Sequence, residues 1–309
     1  MHAVGHGRQG PGRSIPPVTA SASGPAPAPL PARFARLVKI EHTVFALPFA
    51  YVGAFLAVRG TPSAHDLVWI TLAMVGARSL AMALNRLIDA GIDARNPRTA
   101  GRELPSGQLS TLQVVVFCAA SLALFLVAVW QLAPLTHRLW PIPVAGFVLY
   151  PYLKRWTWLC HFWLGAVDGL APVGAWVAIT NRLPWEAWML GAAVAFWVAG
   201  FDLFYALFDV EVDRQQSLHS IATRFGVQGS FAGARLSHLA TVACLATVGA
   251  ALSVGVLYWI GVATVAALLV YEHALVRPGD LRRLDAAFFT MNGVISIVFA
   301  AFVIADAAL

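Results

Sequence analysis

Residues 112–132 read Leu-Gln-Val-Val-Val-Phe-Cys-Ala-Ala-Ser-Leu-Ala-Leu-Phe-Leu-Val-Ala-Val-Trp-Gln-Leu, a run without a single Asp, Glu, Lys or Arg. As a helix this run is about 30 Å long, the thickness of a bilayer's hydrocarbon core. A helix apolar on every side needs either lipid or a large protein interior around it. Composition decides for lipid. The 309 residues are 59% hydrophobic and 12% charged, about half the ~25% charged residues of a soluble domain. That much apolar surface cannot all be hidden from water.

Outward from this stretch, similar runs occupy residues 43–58, 66–88, 139–152, 159–180, 186–208, 236–255, 257–275 and 286–307. The reading is an all-α membrane protein, a bundle of about nine transmembrane helices. The fourth span, 139–152, is short and carries Pro141 and Pro143, with Pro151 at its end, a backbone that neighbouring helices can resatisfy. Residues 1–32 are rich in Pro, Gly and Ala without apolar periodicity and are expected to form a disordered tail. The transmembrane domain then covers 33–309. A short basic amphipathic stretch, Arg33 to His42, is expected to lie along the membrane surface before the first span.

Cys118, Cys160 and Cys244 each sit inside an apolar segment, none at a zinc or redox spacing; they read as small hydrophobes. The net charge is +6, but the basic residues lie in short loops between spans, so no nucleic-acid partner is implied. With the amino terminus inside, fifteen Lys and Arg fall in inner loops and three, Arg59, Arg138 and Arg182, in outer ones. This bias predicts a cytoplasmic amino terminus and cytoplasmic loops after the second and sixth spans.

Those two loops follow the chemistry-bearing motifs. At the inner end of the second span lies Asn85-Arg-Leu-Ile-Asp89-Ala-Gly-Ile-Asp93, and a spacing of four puts Asn85, Asp89 and Asp93 on one helical stripe. The sixth span ends in Asp202-Leu-Phe-Tyr205-Ala-Leu-Phe-Asp209-Val-Glu-Val-Asp213, with Asp202, Tyr205, Asp209 and Asp213 predicted on one helical face. Asp89 and Asp93 recur as Asp209 and Asp213 after the same interval of 120 residues. Carboxylates so close repel one another unless a divalent cation lies between them. Hard oxygen donors suit Mg2+, which takes one or two carboxylates together with substrate phosphates. Asp202 lies deeper, where an ionisable group is costly and functional by default. A diphosphate also needs cations as its leaving charge grows. The candidates are Arg98 and Arg102 in the loop after the first motif, Lys154 and Arg155 at the inner mouth of the fourth span, and Arg214 and Arg224 after the second motif. Arg98, Arg102 and Lys154 stand nearest the acidic ligands.

Asn85-Arg-x-x-Asp89-x-x-x-Asp93, followed by Asn96-Pro-Arg-Thr and Arg102, and later Asp209-x-x-x-Asp213, resembles the UbiA superfamily of intramembrane aromatic prenyltransferases. The likeness covers nearly everything after residue 33. It implies a nine-helix bundle in which Asn85, Asp89, Asp93, Asp209 and Asp213 form a shell for Mg2+ and a prenyl diphosphate. One departure is Arg86, where many members carry Asp, which leaves one carboxylate fewer in the first motif. Ile40-Glu-His42-Thr-Val-Phe-Ala-Leu-Pro48, Ser217 to Gly226 and Tyr271-Glu-His273 resemble the 4-hydroxybenzoate polyprenyltransferase branch, including enzymes that prenylate a naphthoate for menaquinone. In that likeness His42, with Glu41, is placed as a contact for the aromatic acceptor.

The expected reaction is transfer of a polyprenyl group from its diphosphate to an aromatic carboxylic acid in quinone biosynthesis, in a pocket kept dry by Phe45, Phe49 and other aromatic side chains. Two alternatives stay open. The acceptor could be haem, chlorophyllide or a lipid phosphate. The bundle could instead be a cation-coupled transporter, although those hold their charges near the bilayer midplane.

Overall fold

The computed structural model describes residues 29–39, 43–276 and 290–309. Most of the proline-rich tail, together with Glu41 and His42, lies outside the described residues. No strand occurs among those described. The helices are α1 (Leu30–Leu37), α2 (Thr43–Val58), α3 (Ala64–Asp93), α4 (Thr111–Trp130), α5 (Thr136–Leu139), α6 (Pro141–Leu153), α7 (Cys160–Thr180), α8 (Trp185–Tyr205), α9 (Val210–Gln215), α10 (Ile221–Leu252), α11 (Val256–Leu275) and α12 (Asn292–Ala307).

Six of them, α3, α4, α7, α8, α10 and α11, are long and apolar enough to cross a bilayer. The shorter apolar helices α2 and α12, together with the proline-bearing α6, lie where the three remaining spans are expected. Pro141 opens α6 at a position whose missing N–H no helical bond requires, which is why this proline-rich segment still forms a helix. The largest departure from the expected spans is α10. It begins at Ile221 rather than near 236, under a capping box of Ser220 and Thr223, and is interrupted at Gly226, whose φ of 67° is left-handed. Its first turns carry Arg224, Gln228 and Arg235, so an apolar criterion passes over a helix that continues beyond the hydrocarbon.

Close backbone approach holds the bundle together, as expected where lipid supplies no hydrophobic drive between helices. A Cβ added to Gly165 or Gly169 of α7 would lie 2.1 Å from the Ala195 carbonyl oxygen or 2.4 Å from that of Gly191, both on α8. Gly53 brings α2 equally near α7, with Pro172 O 2.4 Å from the added carbon. Around these contacts Phe49, Trp197, Tyr258 and Phe299 are among the aromatic side chains of the largest buried cluster. Phe49 packs in it against Trp197, with ring centroids 4.9 Å apart and the planes tilted by 47°. At the end of the bundle that carries the first acidic motif, α1 is tied to the loop after α3, with Arg33 donating to Gln108 O at 2.9 Å and Arg36 lying 3.4 Å from Glu103.

Candidate active site

The ends of α3, α6, α7 and α8 on the side of the two acidic motifs enclose a cavity of about 290 Å³. Helix α3 runs unbroken to Asp93, so the first motif keeps its predicted stripe, and Asn85 Nδ2 lies 3.5 Å from Asp89 Oδ2. The second motif does not. Helix α8 stops at Tyr205, residues 206–208 form a 3-10 turn, and Asp209 takes φ −110° and ψ 1° before α9 begins. The single face expected for Asp202, Tyr205, Asp209 and Asp213 is therefore broken. The break leaves the Asp209 carboxylate against the loop that follows α3.

That loop folds back through Thr99, whose hydroxyl donates to Asp93 O at 2.9 Å. Arg102 Nη1 then reaches both oxygens of Asp93 at 2.7 Å. Arg98 grips Asp209 with Nε at 2.8 Å from Oδ1 and Nη2 on Oδ2, and its Nη1 donates to Tyr205 Oη at 2.8 Å. Asn96 Nδ2 adds a third donor to Asp209 at 2.9 Å. From the end of α6, Lys154 Nζ sits 2.6 Å from Asp89 Oδ2 and Arg155 Nη2 3.3 Å from Oδ1. Two further bonds lock the parts together: Arg95 to Gln216 at 3.2 Å, and the His219 amide to Lys154 O at 2.6 Å.

These partners set the charge states in the loops. Burial pushes the Asp209 carboxyl up, but the hydrogen bonds from Arg98 and Asn96 outweigh it and hold the group below its ordinary value. Asp213 has no ion-pair partner among the described residues. Burial first, and then the neighbouring charge of Asp209, raise it to about 6. A carboxylate pushed up by a second carboxylate is a position where a cation would be welcome.

No three His, Cys, Asp or Glu side chains converge on one metal position among the described residues. The donors are instead four carboxylates of two motifs, facing one cavity. That arrangement fits Mg2+, whose remaining coordination is normally made by water and phosphate oxygen rather than by a full protein cage.

Deeper in the cavity, Asp202 faces His161 of α7, with Nδ1 2.7 Å from Oδ2. Arg78 and Asp168 form a second intramembrane pair at 3.1 Å on the cavity wall, where Trp197 and Phe201 supply apolar surface. Arg86 is buried and lines the same space, so the departure in the first motif adds a cation where the resemblance implies a carboxylate.

Asn85, Asp89, Asp93, Arg98, Arg102, Lys154, Asp202, Tyr205, Asp209 and Asp213 are thus brought together. Arg224 is not: exposed, it lies 5.6 Å over the Trp158 ring and 5.4 Å over that of Phe225. Phe49 belongs to the buried core rather than the cavity lining. His42 lies outside the described residues. From sequence alone His161 and Asp168 have no assigned role, Asn96 enters only as part of a motif, and Arg155 is among the candidate cations but not among the strongest. An ionisable residue inside an apolar run, as at His161 and Asp168, was the available signal.

The sequence pattern of the UbiA prenyltransferase family matches residues 46–294. The chain is 32% identical over 248 residues to a 4-hydroxybenzoate octaprenyltransferase of Aliivibrio fischeri (strain MJ11), covering 80% of this chain and 86% of that one. The corresponding enzyme of Saccharophagus degradans is 33% identical over 248 residues, with 79% and 82% covered. Among solved structures, a UbiA homologue from Aeropyrum pernix K1 superposes with a TM-score of 0.79 at 33% identity, over 86% of this chain and 98% of that one. A homologue from Archaeoglobus fulgidus, bound to DMAPP and Mg2+, shares the fold with a TM-score of 0.71 at 19% identity, over 89% and 99%. With sequence and fold agreeing over four-fifths of its length, this chain belongs to the UbiA prenyltransferase family.

Proposed function

We propose that this protein transfers a prenyl group from a prenyl diphosphate to the ring of an aromatic acid, 4-hydroxybenzoate or a dihydroxynaphthoate, in ubiquinone or menaquinone biosynthesis. The observation that carries the reading is one cavity holding four carboxylates, three of them paired with cations, together with aromatic wall residues. Relatives named for 4-hydroxybenzoate support the acceptor class.

Asp89, Asp93, Asp209 and Asp213 would hold Mg2+, which when bound neutralises charge on the leaving diphosphate. The A. fulgidus homologue, solved with DMAPP and Mg2+, has the same fold. Arg98, Arg102 and Lys154 line the site on their carboxylates, and Arg155 joins Lys154 on Asp89. An incoming diphosphate offers them stronger anionic partners as its charge grows. Trp197, Phe201, Leu164 and Val194 line the inner cavity and keep water from the allylic carbon as its bond to oxygen breaks.

The direct test incubates the purified protein with Mg2+, prenyl diphosphates of several lengths and a panel of aromatic acids, and follows products by mass spectrometry. Absence of any prenylated acid overturns the reading.

Arg102→Ala separates diphosphate binding from topology. A charge-assisted bond to phosphate is worth about 1.5 to 3 kcal/mol, about ten- to a hundredfold in rate if made mainly in the transition state. The variant is expected to lower kcat or raise the prenyl diphosphate KM at least ~10-fold, with little change in the acceptor KM. Arg59→Ala, exposed on the opposite side, is expected to change neither.

The loops carrying Arg98, Arg102 and Arg214 are assigned to the cytoplasm by the fifteen-to-three distribution of Lys and Arg. In a background free of the three native cysteines, Ser106→Cys should escape an impermeant thiol reagent in intact cells while Arg182→Cys reacts. The reverse pattern would invert the orientation.

A further inference from the structure

We propose that His161 is the base that removes the ring proton after prenyl transfer, and that Asp202 positions it. The proposal rests on the aromatic-acid reading above. It addresses a step that the carboxylates and cations at the cavity mouth leave without a residue.

His161 lies in the first turn of α7 and Asp202 in the last turn of α8. Both line the cavity, with side chains only 7% and 15% exposed. The Asp202 carboxylate accepts from Nδ1 at 2.7 Å, which places the other ring nitrogen, Nε2, at the free end of the imidazole. Nε2 is buried and has no hydrogen-bond partner among the described residues. In a packed interior such an orphaned atom calls for an explanation. A proton on Nδ1 leaves Nε2 as a lone-pair acceptor, and a carboxylate behind the ring stabilises the imidazolium that forms when it takes a proton. Neither residue shares a salt bridge with the cations that neutralise Asp89, Asp93 and Asp209.

The chemistry needs such a group. A bond forms between the allylic carbon and a ring carbon, while the allylic carbon–oxygen bond breaks and its electron pair leaves with diphosphate. The attacked ring carbon still carries its hydrogen. When that C–H bond breaks, its electrons restore aromaticity and the proton must go to an acceptor within reach. The walls exclude water, so the acceptor has to be built in. His161 Nε2 takes the proton and returns it to water when the product leaves.

The test uses full-length protein in detergent, geranyl diphosphate, and 4-hydroxybenzoate either unlabelled or deuterated at both carbons ortho to the hydroxyl. The wild type is expected to show an isotope effect near unity. His161→Gln should be slowed ~100-fold or more and show a primary isotope effect of about two or above, because proton loss has become limiting. Asp202→Asn, which keeps the imidazole but loses its anchor, should move both quantities the same way to a smaller degree. If His161→Gln is too slow to assay, geranyl diphosphate labelled with 18O at the bridging oxygen gives a second reading. Scrambling of that label shows that the variant ionises the donor and stalls afterwards, as proposed.

A His161→Gln rate within about threefold of wild type overturns the proposal. So does a slow variant with neither an isotope effect nor label scrambling, since the pair would then serve packing or ionisation. A wild-type protein that prenylates no aromatic acid would overturn the underlying functional reading itself.

Discussion

Prenyl transfer is expected to cease in excess EDTA and to return when Mg2+ is added back. The argument is one of charge. Asp89, Asp93 and Asp209 are each neutralised by Lys154 with Arg155, by Arg102 and by Arg98. A diphosphate entering the cavity competes for those same cations. Each one it draws away leaves a carboxylate facing a phosphate, and two like charges 4 Å apart repel by about 4 kcal/mol at an effective dielectric of 20. Two or three such contacts would cancel what the arginines and lysine contribute. A divalent cation removes the conflict, which is why Asp213, already pushed up by burial and by Asp209, faces the same space. Chelation should therefore abolish binding of the prenyl diphosphate as well as turnover. Equilibrium binding of geranyl diphosphate with and without EDTA reads this directly. Undiminished turnover under chelation would mean that the cationic side chains suffice alone.

The number and order of spans were legible because a transmembrane run declares itself by length and apolarity, whatever its neighbours do. Pro141 and Pro143 did not mislead, since the first turn of a helix tolerates proline. What failed was helix beyond the membrane. Residues 221–235 are too polar for a span, yet they continue α10 under the Ser220 cap. The site was legible as a set of residue types and illegible as a set of pairs. A spacing of four predicts the Asn85, Asp89, Asp93 stripe but says nothing of Arg98 crossing to Asp209, 111 residues away. The repeat of Asp-x-x-x-Asp also suggested equal local structure, whereas the first motif lies within a continuous helix and the second straddles the start of α9, directly after a 3-10 turn. His161 escaped notice because a lone histidine in an apolar run has no periodic partner. Asp202, already singled out, is its neighbour only once α7 packs on α8.

Asp89→Asn and Asp209→Asn are each expected to lower kcat/KM by ~10³ or more, about 4 kcal/mol of transition-state stabilisation. Asparagine keeps the shape and removes the charge, so the variants test ligand chemistry rather than volume. The question is whether such a loss could arise from unfolding, because removing one partner of a buried ion pair can cost about 3 to 5 kcal/mol. Asp89 is 2% exposed, but its partners Lys154 and Arg155 are 29% and 35% exposed and can turn toward solvent. Asp209 is 17% exposed and Arg98 36%. The destabilisation should accordingly fall well below that range, with only a small fall in Tm and normal membrane insertion. Glu211→Ala is the control, since Glu211 is 74% exposed and its nearest cation, Arg214 at 3.9 Å, is itself 51% exposed. It should leave both rate and Tm within error. Retention by Asp209→Asn of more than about a tenth of wild-type activity would reduce that carboxylate to an anchor for Arg98. The charge argument would then fall on Asp89, Asp93 and Asp213, and Arg98→Ala would be expected to cost no more than Asp209→Asn.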